Sequence, residues 1–274
     1  MPTTVSGPLF GDFWQSRAMA PGLEIVDSIA STNAELARRE RLAPQPNFTA
    51  LATLDQTAGR GRLGRSWVAP RGAALAVSIV VRPSASMSRW GWLTLLGGLA
   101  VRRAVAAELP DAEVSLKWPN DVLVRGRKVA GILAELVPET GAVIVGIGIN
   151  TAMTEEERPV DSATSIAIER GELDSTPEEL ADRLLAHLLA AFAGLVGRFE
   201  AADGDVESSG LRLEVERACG TIGRRVRVEL PDGESFTGRA IGIGAAGALS
   251  VVSDERGEEP TAILAGDVTH LRYQ

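Results

Sequence analysis

Residues 113–150 read EVSLKWPNDVLVRGRKVAGILAELVPETGAVIVGIGIN, and the reading of this stretch decides the architecture. Four apolar runs, at 113–117, 122–125, 128–137 and 142–149, alternate or crowd β-branched residues as strands buried in a sheet do. Arg125-Gly126-Arg127 and Pro138 to Gly141 are the only links between the last three runs. Links that short, with glycine where the backbone must turn, join antiparallel neighbours.

Working outward, residues 23–29 and 48–54 read as strands and 31–41 as a helix whose start is marked by the capping-box spacing of Thr32 and Glu35. Residues 56–72 form a loop of glycine and arginine, 73–81 a buried strand, and 87–109 the longest helical pattern, closed by Pro110. Helical periodicity returns over 177–199 and, less regularly, over 205–219. From residue 222 the text changes to short strands at 225–230, 235–243, 249–253, 262–264 and 268–271, with turns such as Pro231-Asp232-Gly233, which predict a small β barrel. The expected division is a loosely ordered lead-in over 1–22, a main unit over 23–220 and a small β unit over 221–274.

A chain of 274 residues, 45% hydrophobic and 23% charged, can bury a core of this kind. Its net charge of −8 speaks against coating nucleic acid or lying on a membrane surface, both of which need a cationic face. Cys219 is the one cysteine, and His187 and His270 the two histidines, so neither a disulfide framework nor a dedicated metal centre is expected. The first twenty residues, with Pro2, Gly7, Pro8, Asp12 and Arg17, do not read as a signal peptide. The apolar stretches are interrupted short of the ~18 residues that cross a bilayer. A cytoplasmic protein is expected.

Two local features stand against this acidic background. Lys117 and Lys128 are the only lysines among the 28 basic residues, in a chain that otherwise uses arginine. An ammonium is a compact point charge where a guanidinium is a planar fork, so these two positions point to a shared anion. Between Gln56 and Ala107, moreover, there is no Asp or Glu, while eight arginines occur there.

The motifs gather around these features. Gly59-Arg60-Gly61-Arg62-Leu63-Gly64-Arg65-Ser66-Trp67 fits the spacing of a dinucleotide-binding turn, but a strand rather than a helix follows, and no acidic residue comes before Glu108. The better physical account is a backbone that approaches a ligand closely while Arg60, Arg62 and Arg65 fork around phosphates or a carboxylate. A solvated basic turn is the bland alternative; RNA binding is disfavoured because Trp67 is the only aromatic residue there to stack. Lys117-Trp118-Pro119-Asn120-Asp121 leaves one strand, Lys128 to Glu135 forms the next, and Gly146-Ile147-Gly148-Ile149-Asn150 offers small residues on a strand for close ligand approach. Ser31-Thr32-Asn33 reads as a helix cap or as polar ligand contacts, and Gln56 as a reader of a polar ligand group.

Taken in order, Ser31-Thr32-Asn33, GRGRLGRSW, KWPND with KVAGILAE, and GIGIN resemble the biotin protein ligases, also called holocarboxylase synthetases, over roughly residues 23–272. The resemblance implies an α+β fold: a mixed, largely antiparallel sheet flanked by helices, Src-homology-2-like and class II synthetase-like, plus a small Src-homology-3-like β barrel. It implies ATP and biotin as substrates, Mg²⁺ travelling with the nucleotide, and the lysine of a biotin carboxyl carrier protein as acceptor. Biotin contacts then fall to Ser31, Thr32, Asn33, Gln56, Gly59, Arg60, Gly61, Arg62, Lys128, Gly131, Ile132, Leu133 and Gly146. Nucleotide contacts fall to Arg62, Arg65, Trp67, Lys117, Asn120 and Asn150. Arg62, Lys128 and Asp121 are the expected catalytic groups, Asp121 orienting or deprotonating the acceptor amine. Some members carry an amino-terminal DNA-binding domain; with some 22 residues ahead of the main unit, no DNA partner is expected here, and a monomer or weak homodimer is. The rivals are lipoate attachment, whose enzymes lack the GRGRLGR loop, a non-catalytic biotin or nucleotide sensor, and a nicotinamide dehydrogenase.

Overall fold

The computed structural model describes residues 13–230, 233–255, 257, 259–264 and 266–270. In chain order its main unit contains α1 (Trp14–Met19), β1 (Leu23–Ile25), α2 (Thr32–Leu42), β2 (Ala50–Thr53), β3 (Gly59–Arg60), β4 (Ser66–Trp67), β5 (Ala74–Val81) and α3 (Gly91–Glu108). It continues with β6 (Val114–Lys117), β7 (Asp121–Val124), β8 (Arg127–Val137), β9 (Ala142–Asn150), α4 (Ile166–Arg170), α5 (Pro177–Ala201) and α6 (Leu211–Ala218). The carboxy-terminal unit holds β10 (Arg225–Glu229), β11 (Ser235–Ile243), β12 (Leu249–Ser253), β13 (Pro260–Ile263) and β14 (Asp267–His270).

Seven strands make one sheet in the order β1-β2-β5-β9-β8-β7-β6. β1 and β2 pair in parallel and the other ladders of this sheet are antiparallel, as the short links demand. The β7–β8 hairpin turns on Arg125 (φ 47°) and Gly126 (φ 79°), two consecutive left-handed residues that match the twist of the flanking strands.

The period of two along each strand divides the core between the faces. Leu75, Val77, Ile79 and Val81 of β5 and Val143, Val145, Ile147 and Ile149 of β9 enter the large core with α3 and α5. Val80 and Ile144 enter a second cluster with Leu36 and Ala37 of α2. Toward the other end of that second face the residues become small: Ala76 and Ser78 on β5, Gly146 and Gly148 on β9. α2 covers the large-residue half, and the small-residue half is left as a floor.

α5 begins with a capping box, Thr176 with Glu179, and Pro177 at its first turn. It is long and apolar enough to cross a bilayer by composition. Leu180, Leu184, Leu188, Phe192, Leu195 and Phe199 are nevertheless all buried in the fold, each adding roughly 1.5–3 kcal/mol of burial, so it is a core helix.

The small unit is one antiparallel ladder, β13-β12-β11-β10-β14, packed inside on Val226, Val228, Phe236, Ile243, Leu249, Val251 and Val268. It is seated on the main unit by two indoles. Trp92 Nε1 donates to Ala245 O at 2.9 Å and Trp118 Nε1 to Gly247 O at 3.0 Å. At the junction, Trp118 N donates to Thr221 Oγ1 (3.1 Å), which in turn meets His270 Nε2 at 3.0 Å.

Several local expectations shift. The stretch expected to be a loose lead-in carries α1 over its described part, because Asp182 of α5 accepts from Ser16 N at 2.9 Å and Ser16 Oγ at 2.6 Å. The cap of α2 is Ser31, which accepts from Ala34 N at 3.3 Å, and not Thr32; Glu35 pairs instead with Arg38 and Arg39. The helix expected over 87–109 opens as a 3-10 turn, Met87–Arg89, and the one over 205–219 narrows to α6 behind left-handed Gly210 (φ 71°). The closing strand runs Asp267–His270; Leu271, like residues 231 and 232 of the expected turn, lies outside the described residues.

Candidate active site

The small-residue floor opens into a cavity of about 350 Å³. β8 continues the floor with Gly131 and Leu133, in register with Gly148 and Gly146. Absence of side chains here is used at once. A Cβ on Gly146 would lie 2.1 Å from Asn33 Oδ1, and one on Gly148 would lie 2.7 Å from the Trp67 ring. Asn33 and Trp67 therefore rest directly on the strand backbone.

One end of the cavity is polar and uncharged. With Ser31 acting as the cap of α2, Thr32 is free to face inward: its backbone N and Oγ1 meet Gln56 Oε1 at 2.9 and 3.1 Å, and Ser78 Oγ reaches Thr32 Oγ1 at 2.7 Å. Asn33, buried, donates to Leu133 O (3.1 Å) and Glu135 Oε2 (2.7 Å) and accepts from Ser78 Oγ.

The other end is cationic. A register shift between β7 and β8 leaves Val129 and Ala130, consecutive residues, both in the α3-side core. That bulge re-aims the side chain of Lys128 toward the cavity. Its backbone is pinned on both sides, Lys128 N to Ser162 O (2.7 Å) and Thr164 N to Lys128 O (2.8 Å). Lys128 Nζ sits 2.6 Å from Asp121 Oδ1 and 5.6 Å from the centroid of the Trp67 ring, over its face. Lys117 lines the same cavity from the end of β6. Trp67 Nε1 is buried against Gly148 of β9 with no acceptor among the described residues.

The arginine loop forms the cover. Its ladder is two residue pairs long, Gly59 with Trp67 and Arg60 with Ser66, and Leu63 is left-handed (φ 55°). Arg62 Nη1 donates to Asn120 Oδ1 (3.2 Å) and to Gly266 O (3.3 Å) and lies 3.8 Å from Asp267 Oδ1. Arg65 pairs with the other oxygen of Asp267. Burial pushes the Arg62 pKa below its ordinary value, Asp267 and Asp121 oppose that shift, and Arg65 adds to it by like charge. An arginine stays charged through such a shift, so a desolvated cation faces the cavity.

Arg62, Lys117 and Lys128 thus share one cavity, as the sequence requires. Ser31, Thr32, Asn33, Gln56, Arg60, Gly61, Arg65, Trp67, Asn120, Asp121, Gly131, Ile132, Leu133 and Gly146 line it too. Gly59 and Asn150 do not. Gly59 sits beneath Trp67 O and Gln56 Nε2, where a Cβ would approach to 2.5 and 2.6 Å, and Asn150 is buried with Nδ2 donating to Thr164 O at 2.9 Å. Gly59 thus lies under Trp67 and Gln56, which line the cavity, and Asn150 holds Thr164, whose N–H donates to Lys128 O. Sequence reasoning missed Asp267, Val268 and Thr269 of β14 and Glu229 of β10, which close the cavity from the small unit. Arg65 and Asp267 lie 202 positions apart, and no local pattern links them. Ala76 and Ser78 were findable, as the small, alternate members of a run of large residues.

Comparison with known proteins agrees with this construction. The model of the Biotin/lipoate A/B protein ligase family matches residues 25–150, and that of the Biotin protein ligase C terminal domain matches residues 221–271. The biotin--[acetyl-CoA-carboxylase] ligase of Mycobacterium tuberculosis is 38% identical over 253 residues, covering 91% of this chain and 89% of that protein. The bifunctional ligase/repressor BirA of Bacillus spizizenii is 31% identical over 243 residues, 85% of this chain and 69% of that one. The crystallised biotin protein ligase of Aquifex aeolicus in complex with biotin and ATP superposes with a TM-score of 0.71 at 28% identity, over 92% of this chain and 99% of that one. The chain belongs to the biotin protein ligase family.

Proposed function

We propose that this cavity makes biotinyl-5′-AMP from biotin and ATP and then passes the biotinyl group to a lysine of a biotin carboxyl carrier protein. The observation that carries the reading is a single cavity with a neutral, hydrogen-bonding end at Thr32 and Gln56 and a cationic end at Arg62, Lys117 and Lys128. A cyclic urea has two N–H donors and one carbonyl acceptor, which a hydroxyl and a carboxamide can read. A carboxylate and a triphosphate repel each other until cations are placed between them.

In the first step a biotin carboxylate oxygen attacks the α-phosphorus of ATP, a new P–O bond forms, and pyrophosphate leaves. Lys128 Nζ is the group we place against both the carboxylate and the α-phosphate, held there by the bulge and by Asp121. Arg62, Arg65 and Lys117 take the charge that builds on the phosphates, and Trp67 and Asn120 complete the nucleotide side. In the second step the carrier amine attacks the acyl carbon of the mixed anhydride, AMP leaves, and the amine's proton passes to Asp121 or to solvent. Mg²⁺ enters with the nucleotide as its counter-ion. Asp121 and Asp267 are already paired with cations of the protein, which suits a metal borne by ATP rather than by these carboxylates. The arginine loop, laid over the cavity, keeps water from the anhydride.

We take 23–220 as the catalytic unit and 221–274 as its carboxy-terminal partner, residues 1–22 leading in. We place the enzyme in the cytoplasm, acting as a monomer or weak homodimer without a DNA partner; the net charge of −8 supports the last of these, since a nucleic-acid-binding face is cationic. The test is to incubate the protein with Mg-ATP, a carrier domain and either biotin or lipoate. Pyrophosphate release and a carrier mass gain of one biotinyl group, with biotin alone, are expected. Release with lipoate only, or binding of biotin with no release, overturns the reading.

A further inference from the structure

Glu169 of α4 does not line the cavity, and the chemistry described above makes no use of it. Its side chain is only 1% exposed, although its two charged partners, Arg125 and Arg127, both reach solvent. Oε1 accepts from Thr164 Oγ1 at 2.7 Å and from Arg127 Nη2 at 2.8 Å, and Oε2 accepts from Arg125 Nη1 at 2.8 Å. Sealing a carboxylate from water costs solvation that pairing returns only in part, so the arrangement contributes geometry more than stability.

The three groups that Glu169 holds flank Lys128. Arg125 makes the left-handed turn of the β7–β8 hairpin, Arg127 directly precedes Lys128, and Thr164 N donates to Lys128 O at 2.8 Å. Thr164 is buried, and each of its polar groups serves a different element. Its N–H goes to β8, its carbonyl accepts from Asn150 Nδ2 of β9 at 2.9 Å, and its hydroxyl goes to Glu169. Contacts and chain therefore close a ring, from Lys128 to Thr164 to Glu169 to Arg127 and back to Lys128. The ring sits at the start of β8, where the register against β7 shifts. A bulge is one residue too many on one strand, and a slip of one residue turns a side chain to the opposite face of the sheet. With Arg127 and Thr164 tied to one carboxylate, that slip is closed off at Lys128.

We propose that Glu169 is a positioning residue for Lys128: by holding Arg127 and Thr164 together it locks the bulge in the register that aims Nζ into the cavity. The inference rests on the reading of Lys128 as the group set between the carboxylate and the α-phosphate. A lysine side chain is long and flexible, so its aim is only as good as the backbone that carries it. Loosening the ring leaves the ammonium present but poorly aimed. The expected cost is about tenfold in the rate of adenylation, below the roughly hundredfold that a misplacement of about 1 Å can cause.

The test measures pyrophosphate release from biotin and Mg-ATP, with melting temperatures alongside, for Glu169→Gln, Thr164→Val and Thr164→Ser, each alone and combined with Lys128→Ala. Glu169→Gln puts an amide N–H where a carboxylate oxygen accepted, and Thr164→Val removes only the hydroxyl that reaches Glu169. Both should slow release about tenfold. Thr164→Ser keeps the hydroxyl and should restore a rate close to wild type. A residue that acts through Lys128 has nothing left to act on once the ammonium is gone, so neither change should slow Lys128→Ala further. Glu108→Gln is the control for a general defect, since Glu108 is also a sealed carboxylate paired with two arginines, Arg170 and Arg183; it should lower the melting temperature and keep the rate. A loss that carries over into Lys128→Ala, a Thr164→Ser variant as slow as Thr164→Val, an equal loss in Glu108→Gln, or wild-type rates in Glu169→Gln overturns the proposal and leaves the adenylation reading intact. A wild type that releases no pyrophosphate overturns both.

Discussion

The wall of the cavity and its cover are built on opposite principles. The wall, β8 and β9, is a ladder of eight residue pairs with Val129, Ala130, Ile132 and Ile149 buried behind it. The cover has two ladder pairs, an exposed Leu63, and three arginines tied to Glu135, Asn120, Gly266 and Asp267. Burial places groups rigidly and is insensitive to salt, whereas exposed ion pairs contribute only about 0–1 kcal/mol each and are screened. A charge that must be aimed to within a fraction of an ångström belongs on the wall. A lid that must open for two substrates and a carrier belongs on the cover.

The largest effect should come from the wall. Lys128→Ala is expected to slow pyrophosphate release by about a hundredfold or more, the range for removing one oriented electrostatic stabiliser, with the melting temperature unchanged. Wild-type turnover in that variant would end the assignment.

A glycine from each region sharpens the contrast. Gly146→Ala would drive a methyl to 2.1 Å from Asn33, whereas at Gly64 (φ 74°) in the cover an added Cβ meets nothing within 4 Å. Thermal melts should show the first costing about 1–3 kcal/mol and much of the biotin affinity, the second about 1 kcal/mol of backbone strain with affinity kept. Equal effects on affinity would erase the distinction.

Asp267→Asn tests whether ions hold the cover. Trypsin should cut the ligand-free loop severalfold faster in this variant, and raising salt to about 0.5 M should do the same to the wild type. If cleavage in the wild type ignores salt, the cover is held by something other than these pairs.

The smallest effect concerns the seat of β14. Burial, with Lys117 and Arg224 adding like charge, holds the His270 pKa down from 6.5 to about 4. Between those values the unfolded chain binds more protons than the folded one, so stability is full above pH 6.5 and is lost as pH falls toward 4. His270 is half-buried, so after screening the loss is on the order of 1–2 kcal/mol. Melts at descending pH should show it, and His270→Gln should flatten this part of the profile; an unchanged profile in that variant removes His270 as the cause.

Cys219, buried beside the β6 edge with its thiol pKa pushed up by burial, takes no part in these chemistries.

The antiparallel meander, the glycine-rich loop and the two lone lysines were legible because each is a local matter: strand period, turn length and residue choice are written within a few positions of one another. The capping role of Ser31 was not, since Thr32 and Glu35 satisfy the same spacing and only the contact with Gln56, 24 residues away, decides which hydroxyl turns inward. The bulge that re-aims Lys128 is a property of two paired strands, invisible in either alone. The amino-acid sequence by itself determined which charges and which small residues the site would have. Which carboxylates answer those charges, Asp267 from the far end of the chain and Glu135 from a neighbouring strand, was decided only when packing brought distant segments within hydrogen-bond reach, because Coulomb and hydrogen-bond energies depend on distance in space and not on distance along the chain.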